Sequence, residues 1–280
     1  MYTLNCKGRL LVVDKPLVMG IINTTPDSFY EGSRFMGKTG ILNQAEQMLK
    51  EGAEILDIGG QSTRPNSTLV SEEEELDRVV GAIESLHFNF PNAIISIDTY
   101  YARVAVEAVA AGASIVNDVS SGTIDAEMLT AVGRLKVPYV CTHMRGTPAT
   151  MNQLAHYTDV TREVLDFFIQ KTAECHRAGI TDIIIDPGFG FAKTHAHNFT
   201  LLKNLQVFNM LEKPVLVGLS RKSTIYKTLG ITAGEALNGT TVLNTVGLLN
   251  GAHILRVHDV KEAKEAVELI SVLRTSGMQG

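Results

Sequence analysis

The chain has 280 residues, of which 45% are hydrophobic and 20% are charged, and its formal net charge at pH 7 is -5. This composition is typical of a globular protein with enough apolar residues to form a large core. The acidic balance argues against a nucleic-acid partner, because proteins that bind nucleic acids usually present a basic surface. An anionic ligand would have to be held by a few well-placed cations or backbone N–H groups.

The cysteines and the apolar runs bear on the compartment. The three cysteines, Cys6, Cys141 and Cys175, are far apart and lack the spacing of metal ligands, so we expect reduced thiols rather than disulfides. The apolar run at residues 10–13 is too short for a signal peptide. No run reaches the roughly 18 apolar residues that a membrane helix needs. We therefore expect a cytoplasmic protein that has no membrane partner.

The predicted elements alternate, in chain order, between strands and helices. Residues 3–14 are predicted to form a short hairpin that closes the bottom of the fold. Eight short apolar runs rich in β-branched residues follow, as expected of strands buried on both faces: 17–22, 53–58, 93–97, 114–116, 137–140, 181–185, 214–219 and 252–257. Amphipathic stretches lie between them. One begins with a capping pattern of Ser71 and Glu74, and Asp259 is predicted to cap the last.

Eight strand–helix units without a flexible linker predict one α/β domain over residues 1–280, a (βα)8 TIM barrel with a short N-terminal β-hairpin. The alternative is an open, doubly wound parallel sheet, which usually carries a glycine-rich phosphate turn after its first strand. Here the first strand is followed at 23–27 by Asn-Thr-Thr-Pro-Asp, which contains no glycine. The sequence therefore favours the barrel.

Polar and ionisable side chains follow all eight predicted strands. In a barrel of this kind the carboxyl ends of the strands meet at one mouth, where active sites lie, so we expect these side chains to converge. Contact with water would explain any single one of them, but it explains less well why every run ends this way. In chain order they are Asn23, Asp57, Ser62, Thr63, Arg64, Asp98, Asn117, Asp118, Thr142, His143, Asp186, Ser220, Arg221, Lys222, Arg256 and His258.

One group of these residues suits a phosphate-bearing substrate. The planar guanidinium groups of Arg64 and Arg256 match phosphate oxygens, and His258 lies close to Arg256 in the sequence. The carboxamide of Asn23 suits magnesium (Mg²⁺), which keeps several waters and is held largely by substrate phosphates. A surface ion pair is the alternative role for Arg64.

A second group carries acceptors that could bind the amino and ring N–H donors of a flat heterocycle. Its members are Asp98, Asn117, Asp186 and Lys222. A structural ion-pair network around Lys222 would explain the same residues. The loop that begins at Asp186 contains a proline and two glycines, which indicates a tight turn, and Phe191 could form an apolar wall there. A plain turn with Phe191 in the core is the alternative.

These residues lie in segments that resemble the dihydropteroate synthases, a family of pterin-binding enzymes. The resemblance covers nearly the whole chain, and the segments are specific together although each is weak alone. They lie at residues 19–29, 57–65, 96–99, 116–119, 186–191, 218–223 and 256–259, and they read MGIINTTPDSF, DIGGQSTRP, SIDT, VNDV, DPGFGF, GLSRKS and RVHD.

The resemblance implies a pterin-binding (βα)8 barrel that usually forms a homodimer and acts as a transferase in folate biosynthesis. The implied reaction condenses 7,8-dihydropterin-6-ylmethyl diphosphate with 4-aminobenzoate, gives 7,8-dihydropteroate and releases pyrophosphate, with Mg²⁺ on the pyrophosphate. Sulfonamides would compete as mimics of 4-aminobenzoate.

By position, the resemblance also implies a role for each matching residue. The pterin would be held by Asp98, Asn117, Asp186 and Lys222. The pyrophosphate would be held by Asn23, Thr63, Arg64, Arg256 and His258, of which Asn23 would reach the metal. The 4-aminobenzoate pocket would be bordered by Thr63, Pro65, Phe191, Lys222 and Ser223. The residues expected to be catalytic are Asp98, Lys222, Arg256 and His258.

The mechanism expected from these residues is dissociative. Cations around the pyrophosphate would neutralise the charge that grows on the leaving group. Asp98 would stabilise the cationic methylene of the pterin, and the arylamine would attack last. An arylamine needs no strong base, which agrees with the lack of a Ser/His/Asp triad or a reactive cysteine motif in the sequence.

Two other functions stay open at this point. A methyltetrahydrofolate-dependent corrinoid methyltransferase shares the pterin-binding barrel but needs no pyrophosphate site. A non-catalytic pterin-binding paralogue should lack a charged position, and none is missing. The chain departs from the family pattern at residues 30–33, where an Asp-Gly-Gly-like turn is common, at Asn66 (commonly glycine) and at Thr142 (commonly methionine). These departures bear on loop closure, inhibitor sensitivity and packing near the pterin.

Overall fold

The computed structural model describes residues 1–24, 38–61 and 70–276, without the side chains of Lys38 and Asn152. A two-stranded antiparallel hairpin, made of β1 (Tyr2–Cys6) and β2 (Arg9–Val13), precedes a sheet of eight parallel strands. The strands of that sheet are β3 (Leu17–Asn23), β4 (Ile55–Gly59), β5 (Ile94–Asp98), β6 (Ile115–Asp118), β7 (Tyr139–Thr142), β8 (Ile183–Asp186), β9 (Leu216–Val217) and β10 (Ile254–Val257).

The eight strands form a nearly closed barrel in the order β8-β7-β6-β5-β4-β3-β10-β9. Strand β3 pairs in parallel with both β4 and β10, so the first and last strands of the barrel are neighbours. A parallel bridge between Ile185 and Val215 joins β8 to the segment that leads into β9. The predicted (βα)8 barrel with an N-terminal hairpin is confirmed, and the open sheet is excluded.

Helices surround the strands. They are α1 (Lys38–Lys50), α2 (Glu72–Asn89), α3 (Ala102–Ala111), α4 (Met128–Leu135), α5 (Val160–Arg177), α6 (His195–Lys203), α7 (Ser223–Leu229), α8 (Leu237–Leu249) and α9 (Val260–Thr275), together with 3-10 helices at Met151–Leu154 and Leu205–Leu211. The Ser71 side chain accepts from the Glu74 N–H (3.3 Å), as predicted for the start of α2. Asp259 is the N-cap residue of α9, as predicted, but its carboxylate makes no capping hydrogen bond and pairs with Arg221 instead.

The inner face of the barrel changes from apolar to polar along the strands. At its amino end, Leu4, Cys6, Leu11 and Val13 of the hairpin pack against the first inward-facing residues of the strands, such as Ile55. The hairpin therefore fills the floor of the barrel, as the sequence predicted. Side chains alternate along a strand, so the next inward positions fall at its carboxyl end. They are Asp57, Ser96, Asp98, Asn117, Thr142, Asp186 and Arg256.

Several strands extend beyond their predicted ends because buried polar residues continue them. The predicted strand at 114–116 is observed as Ile115–Asp118, and the one at 137–140 as Tyr139–Thr142. Asp118 is fully buried and accepts hydrogen bonds from Tyr139 Oη (2.7 Å) and from the backbone N–H of Ser120 (2.7 Å). A carboxylate satisfied in this way can remain inside a strand, which a rule based on apolar runs does not anticipate.

Two further observations concern the helices and the cysteines. Over the described residues, no helix combines the length and the apolar character needed to cross a membrane. Cys6, Cys141 and Cys175 are all buried free thiols, as the sequence predicted.

Candidate active site

Two inward-facing glycines leave space at the carboxyl ends of the strands, and Gly59 is the first. It ends β4 and pairs with Asp98 on one side and Asn23 on the other. A Cβ at Gly59 would lie 3.6 Å from Asp98 Oδ2 and 3.7 Å from Asn23 Oδ1. Two of the predicted site residues therefore face the same space above β4.

The second glycine is Gly218, which follows β9. A Cβ there would lie 3.8 Å from Lys222 Nζ, 4.0 Å from Asp186 Oδ2 and 4.0 Å from Arg256 Cβ. Side chains from β8, from β10 and from the segment after β9 thus converge on one point, as predicted from their positions at strand ends. Because the glycines carry no side chain, the polar groups of neighbouring strands face one another directly across these two positions.

Arg256 joins two of the strand-end carboxylates. Its Nε donates to Asp57 Oδ2 and its Nη2 donates to Asp98 Oδ2, each at 2.6 Å. Asn117 Nδ2 donates to the same Asp57 oxygen at 3.1 Å. Asp57 was expected at the barrel mouth but was not assigned to a ligand. It is fully buried and is the acceptor that links Asn117 to Arg256. Arg256 of the predicted anion-binding group is therefore joined to Asp98 and Asn117 of the predicted pterin-binding group.

Burial shifts the protonation of this network. It raises the pKa of the Asp98 carboxyl to about 7, against the opposing effect of the Arg256 guanidinium. Burial also raises the pKa of Asp186, against the opposing charge of Lys222. The pKa of Lys222 falls to about 8, again because of burial and against the attraction of Asp186. Perturbed groups gathered in a cleft are typical of a functional site.

Lys222 lies between the Asp186 loop and helix α7. Its Nζ donates to the carbonyl oxygen of Phe189 and lies 4.7 Å from the centre of the Phe191 ring. Lys222 is the N-cap of α7, and Ser223 is the first residue of that helix. Phe191 is buried in a small apolar cluster that also contains Tyr100. It is therefore a core residue and also a neighbour of Lys222, so the two alternative roles of Phe191 are compatible.

Ser220 holds the predicted residue His258. The Ser220 Oγ accepts from the His258 backbone N–H at 3.2 Å and lies 3.0 Å from His258 Nδ1. The hydroxyl therefore contacts both the backbone and the ring of His258, which fixes the orientation of the imidazole. Next to them, Arg221 pairs with Asp259 (2.7 Å) and ties the segment after β9 to the end of β10.

Some predicted positions lie outside the described residues. These are Thr63, Arg64 and Pro65, with Ser62 and the departures at 30–33 and Asn66. The remaining departure, Thr142, ends β7, is 1% exposed, and its hydroxyl has no hydrogen-bond partner among the described residues. The other predicted site residues all lie at the carboxyl end of the barrel or in the loops that follow it.

The structure also identifies residues that the sequence analysis left without a role. Asp57 accepts a hydrogen bond from Arg256, and Ser220 contacts His258, as described above. Lys193 is buried beside the Asp186 loop. The position of Asp57 at a strand end was a usable signal, because it shares that position with Asp98. Nothing in the spacing of Lys193 indicates burial, since a lysine after a turn is usually exposed.

Comparison with known proteins identifies the family. The profile of the family described as "Pterin binding enzyme" matches residues 19–258. The dihydropteroate synthase of Escherichia coli (strain K12) is 41% identical over 266 residues, which cover 94% of this chain and 94% of that protein. The chain belongs to the dihydropteroate synthase family of pterin-binding enzymes. The family predicted from the sequence motifs is therefore confirmed.

Solved structures of dihydropteroate synthases share the same architecture. The Yersinia pestis enzyme, solved as a sulfonamide drug complex, superposes with a TM-score of 0.94 at 39% identity and covers 98% of this chain and 100% of its own. The Xanthomonas albilineans enzyme with 4-aminobenzoic acid gives a TM-score of 0.90 at 39% identity, with 97% and 98% covered. The likeness extends over the whole barrel.

Proposed function

We propose that the chain is a dihydropteroate synthase, a transferase of folate biosynthesis. It joins 7,8-dihydropterin-6-ylmethyl diphosphate to 4-aminobenzoate and gives 7,8-dihydropteroate and pyrophosphate. The observation that carries the proposal is the convergence of Asp98, Asp186, Lys222 and Arg256 at the barrel mouth, in a chain that is 41% identical to a dihydropteroate synthase.

The pterin ring is assigned to the acceptor side of the network. Asp186 and Asp98 accept from the amino and ring N–H groups, Asn117 supplies its carboxamide, and Lys222 donates to a ring carbonyl or nitrogen. Because these groups are already buried, they lose little hydration when the ligand enters. Gly59 and Gly218 present no side chain between these groups, which supports the assignment of the ring to this part of the barrel mouth.

The diphosphate is assigned to the cationic side. Arg256 lies on β10 and His258 follows that strand directly. Ser220 contacts the His258 ring at Nδ1, which leaves Nε2 as the ring nitrogen assigned to a phosphate oxygen. Thr63 and Arg64 are assigned to the same anion by their positions in the sequence. Donors held in place before the reaction stabilise the charge that grows on the leaving pyrophosphate.

The residues present fit a magnesium ion as cofactor. Asn23 Oδ1 and Asp98 Oδ2 flank the same space above Gly59, and both are hard oxygen donors of the kind that Mg²⁺ prefers. We assign Asn23 as the residue that holds it. When bound, the ion supplies additional positive charge for the diphosphate oxygens.

Bond cleavage and bond formation follow from these contacts. The C–O bond of the pterin methylene breaks as pyrophosphate leaves with the bonding electrons. The carboxylate of Asp98, kept close by Arg256, stabilises the positive charge on the pterin. The arylamine nitrogen of 4-aminobenzoate then attacks the methylene and loses a proton. Phe191, Lys222 and Ser223, with Thr63 and Pro65, are assigned to the pocket that holds 4-aminobenzoate, which sulfonamides would also enter.

The decisive experiment measures pyrophosphate release by the purified chain. We expect release that requires the pterin diphosphate, 4-aminobenzoate and Mg²⁺ together, with formation of 7,8-dihydropteroate in equal amount. The absence of release with all three present would rule out the synthase. Methyl transfer from methyltetrahydrofolate to a corrinoid would instead identify a methyltransferase, and pterin binding without turnover would identify a non-catalytic relative.

We also propose that the chain forms a homodimer in the cytoplasm. Helices α8 and α9 carry large exposed apolar side chains, including Val242 (52% exposed), Leu249 (53%), Leu269 (72%) and Leu273 (59%). Apolar groups gathered on neighbouring helices favour a protein–protein surface. Light scattering should give twice the chain mass, and Leu269→Lys should give the single mass. Phe88→Lys, on α2, is the control and should remain dimeric.

A further inference from the structure

Lys193 ends the loop that begins at Asp186, and its ammonium is buried. Its Nζ lies 2.9 Å from His143 Nδ1, 3.2 Å from the His143 carbonyl oxygen and 3.0 Å from the carbonyl oxygens of Gly188 and Phe191. The residue is only 8% exposed. Lysine is rarely buried unless its charge is compensated, so four acceptors around one amine indicate a specific role.

The contacts of Lys193 join strand β7 to the loop after β8. His143 follows β7, and its backbone N–H donates to the Asp186 carbonyl oxygen at 2.9 Å, which continues the pairing of the two strands. The loop after β8 then lies so close to the backbone of His143 that a Cβ at Gly188 would be 2.0 Å from the His143 carbonyl oxygen. The ammonium lies beside this contact and bonds to both partners.

The loop is held in a conformation that needs outside support. Gly188 has a φ of +71° and Ala192, which carries a side chain, has a φ of +49°. Left-handed backbone at a residue other than glycine costs on the order of 1 kcal/mol and persists only where neighbouring contacts hold it. Lys193 supplies such contacts, because it bonds to the carbonyl oxygens of Gly188 and Phe191 on either side of the turn.

The protonation of His143 agrees with this geometry, whereas burial and hydrogen bonding have opposite effects on the charge of Lys193. Burial lowers the pKa of His143 well below its usual value, and the neighbouring Lys193 charge lowers it further, so the imidazole is neutral and Nδ1 can accept. Burial also lowers the pKa of Lys193, against the opposing charge of Asp186. The surrounding oxygens favour the ammonium, because only the protonated amine can donate three hydrogen bonds at once.

The group that Lys193 holds is next to the proposed aminobenzoate pocket. The Phe191 carbonyl oxygen accepts from Lys193, while the Phe191 ring lies 4.7 Å from Lys222 Nζ. Asp186, by contrast, is fixed by its own place at the end of β8 and by the Gly188 N–H, which donates to its Oδ1 at 2.8 Å. The loss of Lys193 should therefore displace the Phe191 ring more than the Asp186 carboxylate.

We propose that Lys193 is a positioning residue for 4-aminobenzoate. Through the carbonyl groups of Gly188 and Phe191 it holds the Phe191 ring against Lys222, and it does not touch substrate itself. The inference rests on the proposed synthase activity and adds to it a residue that controls one of the two substrates selectively.

The test compares Lys193→Met, which keeps the length of the side chain without its donors, with Lys203→Met on the exposed end of α6. We expect Lys193→Met to raise the KM for 4-aminobenzoate by about tenfold or more, with the KM for the pterin diphosphate changed by less than about threefold. Lys203→Met should leave both unchanged. A purely structural role would lower the melting temperature and the kcat while leaving both KM values in place.

Other outcomes are equally decisive. A rise in both KM values together, or in neither, overturns the proposal. Lys193→Gln keeps two N–H donors, so its KM for 4-aminobenzoate should lie between those of the unmodified chain and Lys193→Met. If Lys193→Met does not fold, a rise in this KM alone in Lys193→Gln supports the proposal, and any other result overturns it. Failure of both variants to fold would make the residue structural and would also overturn the proposal. The unmodified chain is measured in parallel, and its failure to turn over would reject the synthase itself.

Discussion

At the level of single residues, the ammonium of Lys222 lies among Asp186, Arg256 and the ring of Phe191. Burial lowers its pKa to about 8, so the group is charged below that pH and loses its charge above it. We expect kcat/KM for the pterin diphosphate to fall as the pH rises through about 8. In the Lys222→Arg variant, this fall in kcat/KM should shift to higher pH, because the guanidinium group stays charged. A profile that stays level well above pH 8 would contradict the prediction.

Asp98 should make the stability of the fold depend on pH. Its pKa is about 7 in the folded chain against 3.8 for a free carboxyl, so the folded state binds the proton more tightly than the unfolded state. Stability must therefore fall as the pH rises between those two values, by at most about 1.4 kcal/mol per pH unit for one proton. Urea unfolding should show this slope.

Two variants separate the effect of Asp98 from a general effect of charge. Asp98→Asn should reduce the slope of stability against pH relative to the unmodified chain, and Glu75, whose pKa burial raises to about 8, should supply part of the slope that remains. Asp166→Asn, which removes an exposed carboxylate on α5, should leave the slope unchanged. Parallel curves for the unmodified chain and Asp98→Asn would show that another group causes the pH dependence.

The sequence predicted which residues reach the site but not how they pair. Position at a strand end is a local property, so Asp98, Asn117 and Asp186 could be identified from the apolar runs before them. The contacts of Arg256 could not, because it bonds to side chains 199 and 158 residues away. Lys193 was missed for a related reason, since its burial depends on how closely two loops approach.

At the level of elements, the turn after β8 depends on a glycine in a tight place. Gly188 has a φ of +71°, and a Cβ there would lie 2.0 Å from the carbonyl oxygen of His143. Gly230, which ends α7 with a φ of +68°, would meet nothing within 4 Å. The two glycines share a left-handed backbone conformation, and they differ in the space available for a side chain.

This contrast gives a prediction for two alanine variants. Gly230→Ala should lower the free energy of unfolding by about 1 kcal/mol, the cost of left-handed backbone. Gly188→Ala should cost several-fold more, because two backbone segments must separate, and it should also weaken turnover by displacing the Asp186 loop. Denaturant unfolding and the pyrophosphate assay provide the measurements. Equal losses of unfolding free energy in the two variants would show that the close contact between Gly188 and His143 adds nothing to the cost of the substitution.

The pattern of apolar residues was enough to predict which segments form strands, but it did not predict the residues at which the strands end. Continuous apolar runs identified all eight strands of the barrel, because both faces of a parallel sheet are buried. The two helices between β9 and β10, α7 and α8, were not predicted individually, and they are separated at Gly230, which adopts a left-handed conformation. The observed strand ends differ from the predicted ones because buried, hydrogen-bonded carboxylates such as Asp118 still pair with the neighbouring strand.

At the level of the whole molecule, we propose that residues 1–280 form one domain, and Arg256 is one of the groups that hold it together. Its guanidinium connects β10 with β4 and β5 through Asp57 and Asp98. Removal of one member of a buried ion pair leaves an uncompensated charge and costs about 3–5 kcal/mol. We therefore expect Arg256→Met to destabilise the chain by an amount of that order, as measured by urea unfolding.

A second substitution tests the reason for that loss. Asp57→Asn in the Arg256→Met background should restore part of the stability, because it removes one of the two charges left without a partner. Neither chain should release pyrophosphate at a normal rate. If the double variant is less stable than Arg256→Met alone, the loss comes from packing rather than from charge.

The pairing of β3 with β10 has a consequence for synthesis. The barrel closes only when its last strand joins its first, and Arg256 lies on that last strand. While the ribosome is still making the carboxyl-terminal part, Asp57 and Asp98 are already present but their cationic partner is not. The proposed catalytic centre is therefore expected to be among the last parts of the molecule to form, and a nascent chain stopped before β10 lacks Arg256 altogether.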